Sequence, residues 1–237
     1  MTYTRRPNGY RRILAVENAK TTKGEKLGYL TGIFYGAPAD ESGVMNTCPK
    51  ATAACKAACL FTAGRGKMRN VRAGRIAKTL LLHSDRALFL ACLRWDIATL
   101  VRRAAKLNLT PCVRINGTTD LAWLAAMMAD EFPTVQFYDY TKLSKPELRI
   151  KSNYALTFSY SGENLAECLS ALLHGVNVSV VFNTRKGDAL PEYWHGFPVV
   201  DGDTHDLRFL DPKFVVVGLR AKGDAKQQAS PFIVLAA

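Results

Sequence analysis

From about residue 111 onward, short apolar runs rich in β-branched residues alternate with segments of helical period. This alternation limits the chain to very few folds. The runs fall at 111–115, 135–138, 153–158, 176–182, 197–200 and 214–219, with a further short one at 231–235. Helical segments are expected at 120–132 and 164–173, the second ended by Gly175, a residue suited to the left-handed turn after a helix. Upstream, 27–35 reads as a strand and 70–83 as a helix. A longer helix should start at the Ser84-Asp85 pair and run to 108, with Leu88, Phe89, Cys92, Leu93, Ile97 and Leu100 on one face. Strands that are apolar throughout belong in a parallel sheet covered on both faces. The expectation is an α/β fold with a mainly parallel sheet, forming a complete or partial TIM-like β/α barrel, and a cysteine-containing helical segment near its N-terminus. An open doubly wound sheet is the other candidate. No Gly-x-Gly-x-x-Gly follows a strand, so dinucleotide binding lacks its usual support.

A chain of 237 residues with 48% hydrophobic content can bury a core without disulfide staples, and it is read as one domain over 1–237. Within it, 1–26 is a basic, partly ordered N-terminal segment and 46–66 carries the clustered cysteines. The longest apolar runs are far too short to span a bilayer. No apolar signal core follows Arg5, Arg6, Arg11 and Arg12, so the expected location is the cytoplasm.

The net charge is +12, and between positions 60 and 106 eleven Lys/Arg face only Asp85 and Asp96. Such a stretch is either a solvated helical face or a surface for an anionic ligand or nucleic acid.

Of six cysteines, three fall together as Cys48, Cys55 and Cys59, in the spacing C-x6-C-x3-C. Good helix formers over 51–60 place Cys55 and Cys59 one turn apart, and the preceding loop can bring Cys48 alongside. Thiolates converging from a short segment suit an iron–sulfur cluster, most simply [4Fe–4S]. Lys50, Lys56, Arg65 and the helix N-terminus should favour the thiolate form. Zinc, buried structural thiols and a Cys55–Cys59 disulfide are the competing readings. Zinc wants a fourth protein ligand that does not follow at the usual distance, and three thiols on an Ala/Lys-rich helix make a poor core. The fourth iron position falls to Cys92, Cys112, a histidine or a bound molecule. His83, His174, His195 and His205 form no metal-binding pair.

Ligands gather beyond the carboxyl ends of parallel strands. There the sequence repeatedly places polar groups, and Asn116, Asp120, Lys142, Ser159, Asn183, Asp203 and Lys222 are the candidate cofactor-binding residues. Asp120 also reads as a natural helix cap and Asp139 as a turn residue.

The segments CPKATAACKAACLFTAGRG, RINGTTDL, FYDYTK, LTFSYSGEN, NVSVVF, PVVDGDTHDLRFLDP and VVVGLRAKG resemble a family of bacteriophage proteins, over nearly the whole chain from about Leu27. The resemblance implies a phage accessory protein rather than a virion part. At fold level, a cysteine loop followed by β/α units is similar to the radical S-adenosylmethionine enzymes, whose usual spacing is C-x3-C-x2-C. S-adenosylmethionine is therefore the expected partner of an open iron. A nucleic-acid-binding, redox-sensing or electron-transfer module is the alternative.

Overall fold

The computed structural model describes residues 3, 5–16, 19–223, 225 and 230–236. Residues 1, 2, 4, 17 and 18 of the basic N-terminal segment lie outside the described residues. In chain order come β1 (Leu14–Ala15), α1 (Ala19–Glu25), β2 (Tyr29–Phe34), α2 (Ala53–Ala57), α3 (Arg69–Ser84), α4 (Arg86–Leu107), β3 (Thr110–Arg114), α5 (Ala122–Glu131), β4 (Gln136–Thr141), β5 (Tyr154–Ser159), α6 (Leu165–Leu173), β6 (Val178–Phe182), β7 (Tyr193–Trp194), β8 (Phe197–Asp201), β9 (Val216–Arg220) and β10 (Ile233–Val234).

The sheet order is β1-β2-β3-β4-β5-β6-β9-β8-β7, with β10 also beside β6. Strands β2, β3, β4, β5, β6, β9 and β8 are mutually parallel, and β1 and β7 pair antiparallel at the two edges. The sheet does not close, which corrects the expectation of a complete barrel. Its outermost parallel strands pair with β1 and β7 rather than with each other.

Alternation along the strands sorts the two faces. Leu30, Val113, Phe137 and Leu156 join Phe89, Leu93, Ile97 and Leu100 of α4 and Leu124 and Met128 of α5 in the largest core cluster. The neighbouring positions Cys112, Tyr138 and Ala155 face the other way, against Leu207 and Phe209. Right-handed crossovers account for this division. From β2 to β6 the chain adds strands in one direction, so its helices share a face. From β8 to β9 it steps back toward the centre, and residues 202–215 cross the opposite face.

Local chemistry sets the helix ends. The Asp85 carboxylate accepts from Leu88 N at 2.9 Å and caps α4, which stops at Asn108 in the left-handed conformation. Gly175, at φ 76°, follows α6 as expected. Near the N-terminus, the buried Asp96 of α4 accepts from Tyr10 OH (2.6 Å), Ile13 N (2.7 Å) and Leu14 N (2.9 Å), fastening that segment to the core. Among the described residues no helix is long and apolar enough to cross a membrane.

Candidate functional site

The cysteine loop leaves β2, the first strand of the parallel run, and lies across the carboxyl ends of the next three. Gly117 N donates to Phe34 O at 3.0 Å, and a Cβ on Gly117 would come within 2.7 Å of that same oxygen, so only glycine lets the ends of β2 and β3 meet there. The buried Thr47 hydroxyl donates to Ala37 O at 2.6 Å, and Thr47 O accepts from Asp120 N at 2.8 Å. These bonds set Cys48 beside Thr118, whose carbonyl lies 3.8 Å from the Cys48 sulfur. The Thr52 hydroxyl accepts from Cys55 N at 3.1 Å and donates to Ser161 O at 2.9 Å, tying the second thiol to the loop after β5.

The helix is shorter than the alanine-rich stretch suggests. It spans only Ala53–Ala57, and Cys59 lies beyond Ala58, its last cap. A single turn has little cooperative stability, and the Cys59 carbonyl instead accepts from the N–H and hydroxyl of Thr62 (3.0 and 2.9 Å).

Cys48, Cys55 and Cys59 are free thiols, half-buried in one wall of a cavity of about 630 Å³. Cys92, Cys112 and Cys168 are fully buried in the apolar clusters and do not line it. Among the described residues no three His, Cys, Asp or Glu side chains are drawn together tightly enough to hold a single metal ion. Burial pushes the Cys48 and Cys59 thiols above their ordinary range, and the Cys55 and Cys48 charges add to the effect at Cys59. The expectation that Lys50, Lys56 and Arg65 favour the thiolate is thus corrected. Lys56 is paired with Asp40 at 2.7 Å, and the cation that acts on Cys48 and Cys59 is Lys142. Burial works against the charge of Lys142, but Cys55, Asp120 and Cys48 outweigh it, and its pKa is raised. Its ammonium lies 5.8 Å from the centre of the Phe232 ring.

Six of the seven candidate polar residues, Asn116, Asp120, Lys142, Ser159, Asp203 and Lys222, line this cavity; Asn183 does not. The Asn183 side chain accepts from Ala236 N at 2.8 Å and the Asn183 backbone N–H donates to Val234 O at 3.0 Å, so the residue braces β10. Asp120 does not cap α5: its carboxylate accepts from Lys142 N at 2.8 Å. Asn116 accepts from the N–H of Leu121, the residue that precedes the helix, at 2.7 Å. Asp139, read as a turn residue, lies inside β4 and accepts from Asn116 N (2.6 Å), Asn116 Nδ2 (3.1 Å) and Tyr154 OH (3.3 Å). Burial raises its pKa to about 7.

Across the cavity, Lys222 and Arg220 are paired with Asp203, and Lys23 donates to the Asp203 carbonyl. Burial opposes ionisation of Asp203, yet Lys222 and Arg220 hold its pKa below the usual range. The cavity floor carries Arg114, which the strand pattern alone does not single out. It is 5% exposed, its Nη1 donates to Asp206 at 2.8 Å, and its guanidinium lies 4.6 Å from the centre of the Tyr140 ring. A lone arginine in a buried strand is the signal that could have found it, because arginine is rarely buried without a partner.

The basic stretch is partly consumed inside the molecule. Arg72 pairs with Glu41 (2.9 Å), Arg94 with Glu131 (2.7 Å), Lys78 donates to Ile13 O (2.9 Å), and Arg86 and Arg102 stack on Trp123 and Trp95.

Comparison with curated proteins and with solved structures finds no match to this chain. A family model described as Gene product 88, a phage-type family, matches residues 12–234, and the chain therefore belongs to the Gene product 88 family.

Proposed function

We propose that Cys48, Cys55 and Cys59 hold an iron–sulfur cluster, [4Fe–4S], with a fourth iron position turned to the cavity. In this reading the protein is an enzyme of the radical S-adenosylmethionine type. The observation that carries the reading is the placement of three free thiols, from the loop after the first parallel strand, in one wall of a ligand-sized cavity at the strands' carboxyl ends. The burial of Cys92, Cys112 and Cys168 in the core leaves the fourth position to a non-cysteine ligand. The adjoining cavity favours an enzyme over a simple electron carrier, which needs no deep pocket.

When bound, such a cluster supplies an electron and an iron that can ligate a small molecule. The residues of the chain divide the remaining work. Lys142 offsets the negative charge gathered by the thiols, and Asp120 fixes the loop that carries it. Thr52 pins the second thiol to the sheet end. Tyr160 and Phe232 supply apolar wall, and Ser159, Asp203 and Lys222 supply polar groups that can orient a bound molecule.

The test is iron and sulfide analysis of anaerobically prepared protein, followed by electron paramagnetic resonance with and without S-adenosylmethionine. About four iron and four sulfide per chain, lost in Cys55→Ser, and a spectrum that changes on adding S-adenosylmethionine are expected. Zinc without sulfide would overturn the cluster; a cluster spectrum indifferent to S-adenosylmethionine would overturn the enzyme class.

A further inference from the structure

We infer that Arg114 forms an oxyanion subsite on the cavity floor, built to take a carboxylate or phosphate group of the molecule that occupies the cavity. The inference deepens the reading of that cavity as a ligand site, but it does not need the cluster.

Four observations meet at this residue. Arg114 is 5% exposed, yet it lines the cavity. Its guanidinium is half-committed: Nη1 donates to Asp206 at 2.8 Å, while Nε is buried and finds no acceptor. A guanidinium offers its donors as planar forks, and the edge that includes Nε matches the two oxygens of a carboxylate or phosphate. Leaving a charged donor buried without an acceptor is costly, so an arriving oxyanion has something to restore.

The orientation of the fork is fixed before any ligand arrives. The Tyr140 ring supports one face of the guanidinium at 4.6 Å, and Asp206 holds Nη1. Burial disfavours the charge, but Asp206 and the surrounding tyrosines outweigh it and keep the group cationic. Asp206 comes from the segment that crosses this face of the sheet, 92 positions along the chain, so the pair is assembled by the fold rather than by local sequence. The other cations of the far wall are more fully committed. Arg220 also leaves its Nε without an acceptor, but it spends Nη1 on Asp201 and Asp203 and Nη2 on Asp188 O, and Lys222 is half-exposed and paired with Asp203. Arg114, with Nη1 alone given to Asp206, keeps more of its fork for a ligand.

The experiment titrates inorganic phosphate and, in a parallel arm, acetate into the full chain, with iron content measured on the same sample. The readout is the Arg Nε–H nuclear magnetic resonance signals together with the dissociation constant. One Nε–H signal should move saturably, and it should be the signal that vanishes in Arg114→Lys. That variant keeps the charge and loses the fork, and its affinity should fall at least tenfold, whereas Lys106→Gln, on an exposed position outside the cavity, should change affinity by less than threefold. A preference for phosphate or for acetate assigns the group's source. Undiminished binding by folded Arg114→Lys, or loss of binding in Lys222→Gln alone, would overturn the subsite. If Arg114→Lys does not fold, the wild-type chain decides. A crystal soaked in phosphate should show the anion's density on Arg114 Nε, and density elsewhere in the cavity, or none, rejects the proposal. Phosphate or acetate binding at Arg114 in a chain that holds no iron would refute the cluster and leave this subsite standing.

Discussion

The two halves of the parallel sheet are built on different terms. Strands β2 to β5 are backed by the 22-residue α4 and by α5, and their inner contacts are Leu, Ile, Phe and Met side chains closed to solvent. Beyond β6 the backing thins. The connection over residues 183–192 contains no helix, β8 is only partly buried, and ion pairs such as Arg220–Asp201 and Lys222–Asp203 stand beside a smaller apolar cluster around Val180, Trp194 and Val216. Apolar burial is non-directional and strong, whereas exposed ion pairs contribute little net stability but place charges accurately. The first half therefore carries the fold, and the second half shapes the cavity wall opposite the cysteines.

Substitutions can break or sharpen this contrast. The largest effect is expected from Phe137→Ala in the first half, where a fully buried ring is lost. Chemical denaturation should show a loss of about 3–5 kcal/mol, against less than about 1 kcal/mol for the half-exposed Phe214→Ala in the second half. Equal losses would dissolve the distinction. Next comes Asp96→Ala, which strips acceptors from Tyr10 OH, Ile13 N and Leu14 N. A loss of about 2–4 kcal/mol is expected from the unsatisfied buried donors, with early hydrogen exchange at Ile13 and Leu14.

A smaller effect concerns pH. Because the folded pKa of Asp139 is raised from 3.8 to about 7, the folded state keeps a proton that the unfolded chain releases. Its contribution to stability is full below about pH 4 and is lost as pH rises through about 7, with a slope of at most about 1.4 kcal/mol per pH unit. Denaturation profiles of Asp139→Asn should be flatter than wild type over that window; an unchanged slope would assign the titration elsewhere. The smallest effect is expected at the cavity mouth, where Lys222→Gln should alter stability by less than about 0.5 kcal/mol.

The sequence pattern discloses what depends on local periodicity. Strands β3, β5 and β6 and the long helices stand close to where apolar runs and the Asp85 cap place them, because those signals are contained within a few residues. The residues that defeat the pattern are those whose partners are remote. Asp120 looks like a cap from its neighbours, but the acceptor for Leu121 N is Asn116, while Asp120 itself serves Lys142. Asn183 follows a strand as Lys142 does, yet β10 claims it from 53 positions away. Helix α1, AKTTKGE, holds no apolar residue larger than alanine and gives no periodic signal. Open closure of the sheet was equally hidden. The number and length of the strands allow a barrel, and only the return step from β8 to β9 brings residues 202–215 across the face that a barrel would have curled around.

The insertion of β10 has a consequence for the order of folding. Strand β6 pairs with β5 only at Val178 and Ser179, and farther along, at Val181 and Phe182, β10 takes its place beside it. Gly162, at φ 93°, lies so close to the Pro231–Phe232 backbone that a Cβ would come within 2.8 Å of it, so the loop after β5 and the approach to β10 interlock. Joining β10 to β6 closes a loop of about fifty residues, more than twice the separation between β5 and β6. Such distant closures follow nearer ones, because their entropy cost must be met before their contacts form. The Phe232 wall is thus among the last parts of the site to arrive. A late-folding chain presents the thiol wall in an open groove, and docking of β10 then turns the groove into a chamber.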